Sequence, residues 1–243
     1  MSGRLARLSM TALRMAAGIL PAASAPLASW LYHFGTLPRT EALERDFGLD
    51  DEPLAVLGLA SGGPARACLE AAFEASTHPG WISFAGNGAA GAVPPACKLY
   101  VSPEPRALPY AFPIVAHVFA RAGVRSFKVG RGLHGLLRSD KIVAYFDARE
   151  HLDDVARSLG RALGDCPAQG IAFTADAGGD GLLSWGADPP DPSSGASWRA
   201  WITRRLAEAM IANPHAPVPA ACEAMRSVGI DPELWAPSEA TFQ

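Results

Sequence analysis

The chain has 243 residues, enough to bury a substantial core as one domain or as a domain with a helical appendage. Its formal net charge is −3, so it has no basic field suited to nucleic acid, and no apolar run is long enough to span a bilayer. Its four cysteines lie far apart without a CxxC pair, which indicates free, buried, intracellular thiols rather than a disulfide framework or a zinc site. We therefore expect a cytoplasmic protein with no nucleic-acid or membrane partner.

The first part of the chain, residues 1–90, is predicted to be helical. It opens with an amphipathic helix in which Leu5, Leu8, Leu13 and Ile19 face inward. A weak signal peptide is the alternative, which the short, glycine- and proline-interrupted apolar core disfavours. Further helical segments are LASWLYHF, TEALERDFGL and ARACLEAAFEAS, and the Gly/Ala/Pro-rich linker GNGAAGAVPPA marks the end of the region.

Strands alternate with helices over residues 96–186. The predicted strands are KLYVS, RSFKV, KIVAYF, GIAFT and LLSW. A helix is expected around 110–122, because Pro109 and Pro113 are tolerated only in a first turn and so place its start late. A second helix follows Asp147.

The remaining residues are predicted to form two helices, one capped by Ser197 and one around 219–228, followed by a GIDPELW turn. The whole pattern predicts an α+β fold with a helical N-terminal part, a central mixed sheet of about five strands with flanking helices, and C-terminal helices. We expect a helical N-terminal region, 1–90, and an α+β domain, 96–243, unless the two form one continuous domain.

A glycine motif follows the second predicted strand, since Gly130, Gly132 and Gly135 spell GxGxxG. A dinucleotide site would need a helix directly after the strand, and the next strand, which begins by Lys141, leaves no room for one. The motif therefore predicts a flexible hairpin loop. His134 lies in this loop, and none of the six histidines has metal-ligand spacing, so we expect no metal and no cofactor.

Only three of the 21 basic residues are lysines, and each lies in or beside a predicted strand. Unlike arginine, lysine can lose its proton and act as a base. The alternative is that these lysines are ordinary strand-edge charges. If the strands pair, Lys98, Lys128, Arg138, Lys141 and Tyr100 gather at one end of a sheet. Such a cluster needs an anionic ligand, for which phosphate is the natural candidate.

The order of motifs in this region resembles the HopA-type effector family. The motifs are K-x-Y-V-S, F-K, R-x-D-K with a strand, A-Q-G-x-x-F-T, G-L-L-S-W-G-x-D-P-P and S-W-R, and they cover roughly residues 97–199. Members of that family act as lyases in class V lanthipeptide and thioamitide biosynthesis, and they are distantly similar to the lyase domain of class III lanthipeptide synthetases and to phosphothreonine lyase effectors. The resemblance implies elimination of phosphate from phosphoserine or phosphothreonine, which leaves dehydroalanine or dehydrobutyrine.

The resemblance also implies roles for individual side chains. Lys128, the lysine of F-K, matches the base that removes the Cα proton of the substrate. Lys98 and Arg138 match phosphate-binding positions, Lys141 is expected to join them, and Arg199 in S-W-R is expected to add a further phosphate contact.

The chain departs from the phosphothreonine lyase effectors at Tyr100, where they carry a histidine that protonates the leaving phosphate. A phenol is a weaker acid than imidazolium. Either Tyr100 acts as the acid, or His134 replaces it, or a phosphate held by several cations leaves without an acid.

The expected partners follow from the same resemblance. The substrate is a precursor peptide of a ribosomal peptide natural product, phosphorylated by a separate Ser/Thr kinase-like protein that could form a complex with this chain. Two other classes stay open. One is a non-catalytic phosphopeptide-binding or effector-like protein of the same fold, and the other is a structural or regulatory α+β protein in which the lysines have no special role.

Overall fold

The computed structural model describes residues 3–47, 55–87, 95–189 and 196–238. The helices in these ranges are α1 (Arg4–Ala17), α2 (Ser24–His33), α3 (Glu41–Phe47), α4 (Arg66–Ala72), α5 (Leu108–Arg121), α6 (Gly132–Leu137), α7 (Arg149–Leu163), α8 (Trp198–Ala212) and α9 (Pro217–Arg226). The strands are β1 (Phe73–His78), β2 (Trp81–Gly86), β3 (Cys97–Val101), β4 (Ser126–Gly130), β5 (Ile142–Phe146), β6 (Ala175–Gly178), β7 (Leu183–Ala187), β8 (Ile230–Asp231) and β9 (Ala236–Pro237). The predicted α+β class is confirmed.

Seven of the strands form one sheet in the order β1-β2-β4-β5-β3-β7-β6, and β8 pairs with β9 in a small hairpin. Every pairing between the described strands of the large sheet is antiparallel, so the sheet is not mixed and has more strands than the five predicted. Strand β5 lies between β3 and β4, which brings the three lysine-bearing segments side by side.

Two strands come from the region that was predicted to be all helical. The helix expected over ARACLEAAFEAS ends at Ala72, and the chain continues as β1, a mostly exposed edge strand. Strand β2 has only Ile82 and Phe84 buried, and it is held in the sheet by pairing with β4. Local sequence propensity gives little signal for such strands, because their extended conformation depends on pairing and packing with the neighbouring strand. The linker GNGAAGAVPPA lies largely outside the described residues.

The predicted strand GIAFT is wrong. Phe173 in this segment has a φ of 65°, a left-handed conformation that does not continue a strand, and β6 starts only at Ala175. Ile171 and Phe173 are both fully buried, so the apolar run that suggested a strand reflects burial rather than extended backbone.

Proline does not delay α5 as the sequence predicted. The helix begins at Leu108, carries Pro109 in its first turn and continues through Pro113. Leu108 and Phe112 are fully buried, so packing offsets the backbone hydrogen bond that Pro113 cannot donate.

Helices cover both faces of the sheet. Helices α5 and α7 pack on the face that carries Leu99, Phe127, Ile142 and Leu183, forming the larger hydrophobic cluster. Helices α1, α2, α8 and α9 form a second cluster around Trp198. These four helices frame one side of the opposite face.

The first helix is amphipathic as predicted, with Leu5 and Leu13 buried. Ile19 lies beyond the end of α1 and is 52% exposed, so the prediction that Ile19 faces inward is wrong. The cysteines are free as predicted, although Cys68 is only half-buried.

The glycine motif forms a short helix, α6, where a hairpin loop was predicted. Gly130 and Gly135 approach so closely that a Cβ added to Gly130 would lie 2.3 Å from the carbonyl oxygen of Gly135. Gly132 has a φ of 69°, which favours glycine. The glycines therefore fold the chain tightly back on β4 and deliver Arg138 at the end of α6.

Candidate active site

The face of the sheet opposite α5 and α7 carries Lys98, Tyr100 and Lys128. Lys128 on β4 is paired with Val143 on β5, and Val143 is paired with Tyr100 on β3. The three residues form one row, so the backbones of Lys128 and Tyr100 are about 10 Å apart, two strand spacings. Lys98 precedes Tyr100 by two residues and so shares its face, as the sequence predicted. The row places the amine and the phenol on either side of Val143.

Helix α8 is seated on this face at β7. Gly186, which is paired with Lys98, lies directly beneath Trp198, and a Cβ at Gly186 would lie 2.3 Å from the Cδ1 atom of the indole. Only glycine lets the helix approach this closely. Trp198 also donates a hydrogen bond from Nε1 to the carbonyl oxygen of Phe173 at 3.1 Å. The next residue along the helix is Arg199, whose side chain is thereby directed to the same end of the sheet.

A buried carboxylate, Asp140, joins three elements at this end. It accepts hydrogen bonds from Arg138 Nε at 2.8 Å and Nη2 at 3.0 Å, and it forms an ion pair with Arg199 Nη1 at 2.8 Å. The Tyr32 hydroxyl from α2 donates to Asp140 at 3.3 Å and accepts from Arg138 at 3.2 Å. Burial alone would raise the pKa of Asp140, but Arg199 and Arg138 hold that pKa well below its usual range.

Tyr32 contacts Arg199 in two ways. The Arg199 guanidinium lies 4.6 Å from the Tyr32 ring centroid and donates a hydrogen bond to the Tyr32 carbonyl oxygen. The Nε atom of Arg199 is buried, and none of the described residues offers it a hydrogen-bond partner. Two guanidinium groups are therefore held in place by one carboxylate and one aromatic ring.

Lys98 is balanced by a second carboxylate. Its ammonium forms an ion pair with Asp188, which lies just after β7, and it is 5.8 Å from the ring centroid of Tyr145. The Lys98 side chain is only 10% exposed. The carboxylates of Asp140 and Asp188 thus relieve the self-repulsion expected of a cation cluster.

Lys128 differs from the other cations, because it has no ion pair with any carboxylate that the structure describes. Its ammonium lies 4.0 Å from the ring centroid of Trp81, and the Arg138 guanidinium lies 5.0 Å from the same ring. Half-burial lowers the pKa of Lys128; nearby Asp140 opposes this, while Arg138 and Lys98 lower the pKa further. The pKa of Lys128 is therefore shifted below its usual value, which is the direction that a general base requires.

Lys141 does not join the cluster, contrary to the sequence prediction. Its side chain is fully buried, and Nζ donates hydrogen bonds to the Pro103 carbonyl oxygen at 2.7 Å and to Gln169 Oε1 at 2.5 Å. Gln169 in turn donates to the carbonyl oxygens of Gly35 and Leu137. Lys141 therefore ties loops together, and a phosphate would have to break both of its hydrogen bonds to reach it.

The two candidate acids have contrasting positions. Tyr100 is 3% exposed, and burial raises its pKa well above the usual value, which favours the neutral phenol. His134 is exposed on α6, and within the described part of the chain no hydrogen bond or ring contact joins it to Lys98, Lys128 or Arg199. Tyr100 is thus in the row with Lys128, and His134 is not.

Sequence reasoning missed four of the side chains that shape this face: Asp140, Asp188, Tyr32 and Trp81. Asp140 and Asp188 lie inside the motifs R-x-D-K and G-x-D-P-P. Because buried cations need carboxylate partners, a search of the motifs for acidic residues would have identified both. Tyr32 and Trp81 lie far from the motifs in the chain, and only the fold brings them near.

The described residues contain no group of three His, Cys, Asp or Glu side chains that could hold a metal ion. None of the helices in the described ranges combines enough length and apolarity to cross a membrane.

No family model matches the chain, and no curated protein sequence matches it at a significant level. Solved structures do match. An effector protein from Pseudomonas syringae pv. syringae strain 61 aligns with a TM-score of 0.58 and 12% identity over 95% of this chain and 97% of that one. An effector protein from Pseudomonas syringae pv. tomato strain DC3000 aligns with a TM-score of 0.58 and 11% identity over the same shares.

The phosphothreonine lyase SpvC, an effector protein from Salmonella, aligns over 74% of this chain and 97% of its own, with 11% identity. Its TM-score of 0.42 is below the level at which a common fold follows. The two Pseudomonas matches span nearly all of both chains, so this protein has the fold of those effector proteins, in agreement with the effector-type fold that the sequence resemblance predicts.

Proposed function

We propose that the protein is a phosphoserine/phosphothreonine lyase that converts phosphorylated residues of a precursor peptide to dehydroalanine or dehydrobutyrine. The observation that carries the proposal is the state of Lys128. It is half-buried, unpaired with any described carboxylate, and set on one face with Lys98, Tyr100, Arg138 and Arg199. The match of these positions to the motifs of the HopA-type lyases supports the same assignment.

In the proposed reaction, the neutral amine of Lys128 takes the Cα proton of the phosphorylated residue. The electrons of the Cα–H bond form the Cα–Cβ double bond, and the Cβ–O bond breaks to release phosphate. Arg138 and Lys98 stabilise the charge that develops on the leaving group, and the buried Arg199, which is paired with Asp140, contributes through its charge rather than by direct contact. The proton on Lys128 then passes to solvent. No oxidant, reductant or metal ion is needed for this balance.

Tyr100 has a limited part in this scheme. As a neutral phenol with a raised pKa, it can donate a hydrogen bond to the bridging oxygen but is a poor proton donor. A phosphate that leaves as a dianion among three cations needs little protonation, so the cations carry most of the stabilisation of the leaving group.

The substrate must arrive already phosphorylated. We assign phosphorylation to a separate Ser/Thr kinase-like protein, which could hand the peptide over within a complex in the cytoplasm, where ATP is available. We propose that this elimination belongs to the biosynthesis of a ribosomal peptide natural product of the lanthipeptide or thioamitide type, which the resemblance to the HopA-type lyases supports.

Mass spectrometry of a phosphorylated peptide incubated with the purified protein tests the proposal. Loss of phosphoric acid, with a dehydro residue that reacts with an added thiol, is the expected result. The Lys128→Arg variant is the matched control, because it keeps a positive charge and loses the base. Loss of phosphate by hydrolysis, leaving serine or threonine, would contradict the lyase assignment.

A second candidate function is a non-catalytic phosphopeptide-binding protein. The buried phenol at Tyr100, a poor acid, favours it. In that case the same peptide should raise the melting temperature of the protein and be recovered with its phosphate intact. A protein that shows neither response to phosphopeptides would belong to the structural or regulatory class.

A further inference from the structure

The Trp81 ring contacts the Lys128 ammonium, and Trp81 has no part in the proposed chemistry. It is the first residue of β2, and its register partner on β4 is Gly130, two residues from Lys128 on the same face. The backbone of Gly135 packs against Gly130 on that face, since a Cβ added to Gly130 would lie 2.3 Å from the carbonyl oxygen of Gly135. The Lys128 ammonium lies 4.0 Å from the ring centroid, a short distance for a cation–π contact.

The contact has a consequence for the charge of the amine. An aromatic ring attracts an ammonium ion and has no comparable attraction for a neutral amine, so the indole favours protonated Lys128. The charged groups facing this amine are Asp140, which also favours the charge, and Arg138 and Lys98, which oppose it. Asp140 is already shared by two arginines and forms no ion pair with Lys128 in the described part of the chain, whereas the Trp81 ring lies 4.0 Å from the Lys128 ammonium.

We propose that Trp81 is a positioning residue that tethers the protonated Lys128 side chain against β2 and releases it when the amine loses its proton. Charge and position are coupled in this arrangement. The protonated amine stays on the ring, and only the neutral amine, which is the form able to accept a proton, is free to move over the row toward a substrate. The use of this coupling in catalysis rests on the proposed role of Lys128, whereas the tether itself does not.

The chain offers a direct measurement, because it contains only three lysines. Labelling lysine with ¹³C at Cε gives three signals that Lys→Arg variants at 98, 128 and 141 assign. In the unaltered protein, the Lys128 Hε protons should be shifted upfield by the indole at low pH, and this shift should collapse as Lys128 titrates. The loss of the ring-current shift with deprotonation is a signature that a merely structural tryptophan would not give.

Substitution of the ring supplies the second readout. In Trp81→Leu, the titration midpoint of Lys128 should fall by about 0.4 to 1.5 pH units, the range of cation–π strengths converted to a pKa change. Trp81→Phe keeps a weaker ring, tests the same point if the leucine variant does not fold, and should give a smaller shift. The signals of Lys98 and Lys141 should stay in place.

Trp185→Leu is the matched control. Its indole also carries a cation, Arg149 at 3.5 Å, but it lies on the other face of the sheet, so the Lys128 midpoint should not change. A Lys128 midpoint that stays or rises in both Trp81 variants would overturn the proposal, and so would equal shifts of all three lysines. These titrations need no substrate, so they give an answer even if the protein proves not to be a lyase. If elimination is observed, the acid limb of its pH profile should move with the midpoint.

Discussion

Replacing Asp140 with asparagine tests whether one carboxylate holds the cationic end of the sheet together. The carboxylate is 4% exposed and has three contacts of 3.0 Å or less with Arg138 and Arg199. Asparagine keeps one oxygen acceptor and turns an amide NH₂ toward the guanidinium groups. Both guanidinium groups then remain buried, without the charge that balances them.

The expected cost is that of breaking a buried ion pair, about 3–5 kcal/mol. For a protein of this size, each kcal/mol lowers the melting temperature by about 2–4 °C, so the melting temperature should fall by roughly 6–20 °C. The carboxylate pKa is depressed in the folded state, so its contribution is present above the unfolded pKa, about 3.9, and is lost only as the pH falls through the folded value. The difference between the two proteins should therefore stay constant from about pH 5 to 9.

Differential scanning fluorimetry with and without inorganic phosphate is the assay. Phosphate should raise the melting temperature of Asp140→Asn more than that of the unaltered protein, because it replaces the missing negative charge beside Arg138. Asp154→Asn is the matched control. The side chains of Asp154 and Arg157, which form an ion pair, are 68% and 64% exposed, so loss of this pair should change the free energy of unfolding by at most about 0.5 kcal/mol. A melting temperature of Asp140→Asn within about 2 °C of the unaltered protein would refute the reasoning.

Other expected outcomes concern the lysines and the requirements of the reaction. Lys128→Ala and Lys128→Arg should both abolish elimination and leave phosphopeptide binding largely intact, as measured by mass spectrometry and calorimetry; substantial turnover by the arginine variant would disprove the base assignment. Arg138→Ala or Lys98→Ala should each weaken phosphopeptide binding by about 1.5–3 kcal/mol and leave the unphosphorylated peptide unaffected, and equal losses for both peptides would indicate misfolding. Burial lowers the pKa of Lys141 from 10.5 to about 7, so the folded state binds fewer protons than the unfolded state between these values, and stability relative to Lys141→Met should rise with pH across that window in denaturant titrations. Chelator should leave elimination unchanged, and ATP with unmodified precursor should give no product unless the kinase is added; dehydration of unphosphorylated precursor would contradict this.

The sequence alone determined the helices with strong periodicity and the strands with buried runs. The stripe of Leu152, Val155, Leu159 and Leu163 is buried along α7, and Gly164 ends that helix. Ser197 caps α8 by accepting a hydrogen bond from the backbone of Ala200. Such signals are local, because a periodic apolar face or a capping side chain acts within a few residues. Alternation along β3 likewise placed Lys98 and Tyr100 on one face before any partner strand was known.

The tertiary structure alone decided which charges meet. Pairing of β5 with both β3 and β4 brought Lys128 into the row with Tyr100, and no local pattern encodes that register. The same packing buried Lys141 on carbonyl oxygens, while Trp81 and Asp140 came to lie beside the lysine and arginine cations. Charge balance in a folded site depends on distances between segments far apart in the chain, so the sequence could name the cations but not their partners.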